Sequence, residues 1–128
     1  MNPPYFSENS GCKSPDQSAL IARHEVACNL TDISKCAAYL LKHSGRFCLC
    51  HRPERLCDIF EALRKYKLEP KRLRPVVQKD YQEPWLMLIE ATKGGKPGLK
   101  IERQLIIKNQ NNTYTDEFRS LYREFATF

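Results

Sequence analysis

The 128-residue sequence predicts an α/β fold, with helices layered on a sheet, and three observations carry that expectation. Apolar residues recur at helical spacing over 30–41 and again over 56–63. Short apolar runs of strand length, RFCLCH at 46–51 and residues 73–78, alternate with those helical segments. A third run, WLMLIEA at 85–91, is nearly unbroken in apolar residues, as expected when both faces of a strand are covered.

Taken in chain order, residues 7–20 (SENSGCKSPDQSAL) carry no apolar period and read as a long surface loop. The first helix follows from Leu30, Ile33, Ala37, Leu40 and Leu41, with Thr31 and Asp32 suited to its start and Gly45 to its end. After the strand at 46–51, Pro53 and Glu54 open a second helix whose Leu56, Ile59, Phe60 and Leu63 share one face. Pro75 weakens the strand at 73–78 and places it toward a sheet edge, because proline cannot donate to a ladder. Asp80, Gln82, Glu83 and Pro84 then make a polar connection to the run at 85–91. The glycine-rich KGGKPG at 93–98 has two readings, a phosphate cradle or a turn between strands. The turn is favoured, since no strand-to-helix context surrounds the lysines. Residues 99–109, with QLIIK, are strand-like and end in the turn-rich QNN. Thr115 suits the cap of a last helix carrying Phe118, Leu121, Tyr122 and Phe125 on one stripe.

An apolar content of 41% over this length fits one globular domain. The formal net charge of +6 gives a basic surface, which favours RNA or DNA over acidic partners. No run approaches the roughly 18 apolar residues of a spanning helix. Residues 1–11 contain no apolar core of a signal peptide, so a cytoplasmic protein without membrane association is expected. Cys12, Cys28, Cys36, Cys48, Cys50 and Cys57 read as reduced core thiols rather than as a disulfide framework. The group Cys48, Cys50, His51 and Cys57 invites zinc, but Cys48 and Cys50 share one strand face and no second Cys-x-x-Cys pair closes a tetrahedral site. Plain packing is the better reading, and no metal is expected.

Chemistry concentrates in NPPYF at positions 2–6. Proline fixes φ, so the side-chain amide of Asn2 and the carbonyl of Pro3 can be held in one geometry while Tyr5 offers a flat stacking face. A Pro-Pro pair near a terminus is equally an extended arm. An exocyclic aromatic amine is a poor nucleophile, because its lone pair is delocalised into the ring. Two fixed acceptors and an aromatic platform answer that need by orientation and electrostatic preorganisation, without a general base. Unpaired or flipped bases are held by the same mixture of edge hydrogen bonds and stacking.

The sequence NPPYF, the ARHE at 22–25, LTDISKCAAYLLKHSGRF, RPERLCDIFEALRKYKLEPKRLRPV and LIEATKGGKPGLKIERQLII, in that order, resemble the later half of the bacterial tRNA(Val) adenine-N6 methyltransferases. These are class I enzymes dependent on S-adenosylmethionine, and the similarity covers about residues 2–125. The resemblance implies the C-terminal half of a Rossmann-like sheet, with flanking helices and a mixed sheet that is antiparallel in its C-terminal part. It implies N6-methyladenine formation in tRNA, with Asn2, Pro3, Pro4 and Tyr5 orienting the amine at the end of the family's fourth strand. Phe6, Arg23, His24 and Glu25 fall on the substrate side, a helix-surface charge cluster being the equal alternative for the last three.

The family's glycine-rich cofactor loop and its ribose-binding acid precede NPPY, and these 128 residues hold no Gly-x-Gly. The expected organisation is therefore one partial domain, 1–128, with motif and substrate loop over 1–29, sheet region over 30–128, and the N-terminal cofactor-binding half absent. In that case the strand at 46–51 is an edge, and the partner is the missing half or a second copy, beside tRNA or another nucleic acid. The alternative is a small basic RNA-binding α/β module without catalysis, whose Tyr5, Phe6 and Tyr81 stack on bases.

Overall fold

Met1 and residues 29–123 are described by a computed structural model of the chain. Their elements are α1 (Leu30–Leu40), β1 (Arg46–His51), a 3-10 turn (Pro53–Arg55) leading into α2 (Leu56–Lys65), β2 (Leu68–Val77), β3 (Leu86–Lys93), β4 (Lys100–Ile101), β5 (Leu105–Ile106) and α3 (Asp116–Tyr122).

The helices form where periodicity and caps agree. Asn29 caps α1, its side-chain oxygen accepting the N–H of Asp32 at 2.9 Å, slightly ahead of the expected Thr31 and Asp32. Gly45 does not terminate that helix. The helix ends at Leu40, Ser44 takes a positive φ of 65°, and Gly45 delivers the chain into β1. No basic residue stands in the last turn of α1; instead Lys93, from the end of β3, donates its Nζ to the carbonyls of Ala38 and Leu41, the latter at 2.6 Å. A cation at a helix C-terminus satisfies orphan carbonyls and complements the dipole. Thr115 caps α3 as expected, its hydroxyl accepting the N–H of Phe118.

The strands make one mixed sheet in the order β1-β3-β2-β4, with β5 also on β2. β3 pairs antiparallel with β1 and β2, so Ile89 lies between Leu49 and Leu73, whereas β4 and β5 run parallel to β2. Leu49, Leu73, Met87, Ile89 and Ala91 face Ile59 and Leu63 of α2, with Leu30 and Ala37 of α1 packed alongside. Ile59 and Leu63 are each 1% exposed, and burial of such side chains contributes about 1.5–3 kcal/mol apiece.

Four expectations are corrected. β2 is an interior strand, not an edge, and begins at Leu68. Pro75 is accommodated because Leu73 and Val77, two residues to either side, accept from Glu102 and Ile107, which points the groups of Pro75 into the gap between β4 and β5. The strand-like segment 99–109 is interrupted there, leaving two two-residue strands. The run 85–91 has one well-covered face: Met87, Ile89 and Ala91 are buried, while Leu88 and Glu90 opposite remain half-buried among the described residues. The described cysteines are not core thiols either, since Cys36, Cys48 and Cys57 are exposed and Cys50 is half-buried, while Cys12 and Cys28 lie outside the described residues. Leu49 occupies the inward position between Cys48 and Cys50, and strand alternation turns both sulfurs to the other face.

Candidate functional site

The outer edge of β1 is where Met1 joins the sheet. Gly45 and Lys93 are bonded backbone to backbone, so alternate β1 residues, Phe47 and Leu49, carry the ladder to β3. Cys48 and Cys50 direct their backbone groups to the opposite side. There the Met1 ammonium donates to the carbonyl of Cys48 at 2.6 Å, and the N–H of Cys50 donates to the carbonyl of Met1 at 2.8 Å. These two bonds are the pattern of a parallel bridge opposite Leu49. Met1 therefore runs parallel to β1, whose carboxyl end lies at His51. His51 is fully buried, and its Nδ1 accepts the N–H of Arg52 at 2.8 Å, placing the ring proton on Nε2.

Beside this edge, the sheet face away from α1 and α2 bears a groove of about 590 Å³ lined by Met1, Cys50, Leu88, Arg72, Glu102 and Leu121, among others. Its floor is apolar and its wall is charged. Arg72 donates to Glu102 at 2.9 Å and to Glu90 at 3.2 Å, Arg46 stands 4.0 Å from Glu90, and the Cys48 thiol donates to Glu90 at 3.8 Å. The hydrogen bond from Arg72, followed by that guanidinium's charge, holds the Glu102 carboxyl below its ordinary value of 4.5, partly offset by desolvation. The same bond and charge raise Arg72 above its ordinary range. Arg74 pairs with Glu117 and so ties α3 to the sheet. Sequence reasoning missed this network. The signal was present in KRLR, where Arg72 and Arg74 share a strand face, and in the single Glu90 interrupting an apolar run.

Asn2, Pro3, Pro4, Tyr5, Phe6, Arg23, His24 and Glu25 lie outside the described residues. Cys48 and Cys50 share a face, and no further ligand joins them in a metal-binding group among the described residues. A nucleoside cofactor of the S-adenosylmethionine type needs a glycine-rich turn from strand to helix. The described glycines do not provide it: Gly45 leads from helix to strand, Gly94, Gly95 and Gly98 join strand to strand, and the β1-to-α2 turn is Arg52-Pro53. Residues 29–123 thus do not fit that cofactor's binding loop.

No protein-family model matches the sequence, and no curated protein matches it. Among solved structures, the chain is similar to the crystal structure of a predicted O-methyltransferase, protein Atu636 from Agrobacterium tumefaciens, with a TM-score of 0.68 and 19% identity. The superposition covers 77% of this chain and 48% of that one, so the chain spans about half the length of the structure it matches. At that identity the likeness concerns the fold, and this chain has the α/β, mixed-sheet fold of that methyltransferase structure.

Proposed function

We propose that this chain is the substrate-orienting part of an adenine-N6 methyltransferase acting on tRNA, with S-adenosylmethionine supplying the methyl group from a site outside residues 29–123. The observation that carries the reading is the parallel seating of Met1 on β1, two residues short of that strand's carboxyl end, in a chain with a methyltransferase-type sheet. In open α/β sheets, ligands bind beyond the carboxyl ends of strands. In this reading the Asn-Pro-Pro-Tyr that follows Met1 continues toward such an end.

In this reading the side-chain oxygen of Asn2 and the carbonyl of Pro3 accept the two hydrogens of the adenine amine. Pro3 and Pro4 keep those acceptors fixed, so no reorganisation accompanies the reaction. Tyr5 stacks on the base, and Phe6, Arg23, His24 and Glu25 shape the substrate side. The Arg72–Glu90–Glu102 network holds the neighbouring sheet face rigid, as a satisfied polar cluster does. It is a positioning element, with no assigned contact to substrate.

The test uses the protein purified through a C-terminal tag from its own host, so that accompanying polypeptides come with it. It is incubated with S-adenosylmethionine and tRNA, and the digested nucleosides are resolved by mass spectrometry. We expect N6-methyladenosine, and a loss on the order of 10²-fold for Asn2→Ala, the scale for removing one preorganised hydrogen-bonding group. Methylation that is indifferent to Asn2→Ala, or absent with the wild-type protein, overturns the proposal. RNA binding without any methyl transfer would favour the catalysis-free RNA-binding module.

A further inference from the structure

Every ion pair among the described residues is made by an arginine: Arg46, Arg52, Arg55, Arg64, Arg72 or Arg74. No lysine joins one. Four of these unpaired lysines converge on the turn between β3 and β4. Gly94 donates its N–H to the carbonyl of Lys67 at 2.9 Å, and Lys71 donates its Nζ to the carbonyl of Lys96 at 2.8 Å. Lys100 stands beside Arg72 in the β2/β4 register, one residue from Lys71. Lys67, Lys96 and Lys100 are exposed and Lys71 is half-buried.

The backbone holds this cluster in place. The β2/β3 register shifts between Pro70 and Arg72, so Lys71 is the extra residue of a bulge, a device that re-aims a side chain. Gly94 adopts a φ of 69°, and a Cβ there would clash with the His43 ring, so the turn is seated tightly at its root. Beyond Gly95, the N–H groups of Lys96, Gly98 and Leu99 have no acceptor among the described residues. A Cβ at Gly98 would meet only Lys71 Nζ, at 3.6 Å, so the backbone is open to an approaching group. The Lys71 ammonium uses one hydrogen on Lys96 and keeps two. Leu99 (39% exposed) and Ile101 (67% exposed) flank these donors.

We propose that the β3–β4 turn, with Lys71, Lys96 and Lys100, is the surface that takes the phosphate backbone of RNA. The inference rests on the reading of tRNA as the substrate and names where that RNA lies on the protein. The carboxylates nearest these lysines, Glu69 beside Gly95 and Glu102 within electrostatic range of Lys100, are already ion-paired to Arg64 and Arg72, so the lysines keep an excess of positive charge that a polyanion can offset while releasing its counterions. Lysine point charges and open backbone donors suit phosphate oxygens and carry no base readout. Leu99 and Ile101 offer apolar contact of the size of a ribose or base face, too small an area for insertion into a membrane.

The experiment measures fluorescence anisotropy of an in vitro transcribed tRNA with the wild-type chain across a salt series. Each of Lys71→Gln, Lys96→Gln and Lys100→Gln is expected to lower the slope of log K against log salt by about 0.7–0.9. The triple variant then loses on the order of fiftyfold in affinity at about 0.15 M salt. Lys71→Arg retains binding, and Lys35→Gln on α1 leaves it unchanged, with circular dichroism confirming that each variant is folded. A wild-type slope in the folded triple variant overturns the inference, as does an equal loss in Lys35→Gln or a loss confined to anionic phosphatidylserine vesicles. Methyl transfer that persists undiminished in the triple variant sinks this inference and leaves the methyltransferase standing. Slope loss in a protein that transfers no methyl group does the reverse.

Discussion

Replacing Lys93 with methionine removes an ammonium group while keeping an unbranched stem of similar length. The lost contacts are two charge-assisted hydrogen bonds to the carbonyls of Ala38 and Leu41, which end a helix with no cation in its own last turn. A hydrogen bond to a charged group contributes about 1.5–3 kcal/mol net, and both carbonyls are only partly buried and can recover water, so we take the low end for each. The expected loss is roughly 2–3 kcal/mol, a large share of the 5–15 kcal/mol typical of a whole domain. At about 4–8 °C per kcal/mol for a domain near 100 residues, the Tm falls by roughly 8–24 °C. Thermal unfolding followed by far-ultraviolet circular dichroism, with a urea titration as a second measure, reads this directly. A variant melting within about 2 °C of the wild type refutes the assignment of Lys93 as the C-terminal brace of α1.

Four further outcomes follow from the same structure. Leu63→Ala, at a position 1% exposed in the core, destabilises by about 2–5 kcal/mol in urea unfolding, and a change under about 1 kcal/mol contradicts the core assignment. Glu102 has a depressed folded-state pKa, so its stabilising share is present above the ordinary value of 4.5 and fades as pH falls through the lower folded value. The stability gap between wild type and Glu102→Gln is therefore constant from pH 7 down to about 5 and closes in more acid solution; a gap that widens with acidity has the wrong sign. Amide exchange should be roughly tenfold slower at Cys50, whose N–H is held by Met1, than at Cys48 on the same edge, and equal rates deny the parallel seating of Met1. Calorimetry of the 128-residue chain alone with S-adenosylmethionine shows no saturable binding, and micromolar saturation contradicts our placement of the donor site elsewhere.

What the sequence disclosed depended on the range of the interaction. The helices at 30–40 and 56–65 were legible because their apolar spacing and their caps, Asn29 apart, lie within one element. The last helix was legible from Thr115 for the same reason. Gly45 misled because the cation closing α1 comes from Lys93, 52 residues beyond Leu41, and no local pattern encodes that reach. Pro75 misled because strand order is a tertiary fact, and the gap between β4 and β5 gives an interior proline the place an edge otherwise provides. The cysteines were misread because RFCLCH is apolar at almost every position, which hides the alternation that buries Leu49 and turns Cys48 and Cys50 outward. The charged wall of the groove needed the β2/β3 register before Arg72 and Glu90 could be seen as partners. Asn2, Pro3, Pro4 and Tyr5 lie outside the described residues, and their proposed amine-orienting role rests on the sequence and on proline stiffness alone.

The most direct measurement is the N6-methyladenosine content of tRNA from host cells lacking this gene, complemented with either the wild-type or the Asn2→Ala allele. Our account predicts that the modification disappears on deletion, returns with the wild-type allele and does not return with Asn2→Ala. Full restoration by Asn2→Ala, or tRNA whose adenine methylation is unaltered by the deletion, would contradict it.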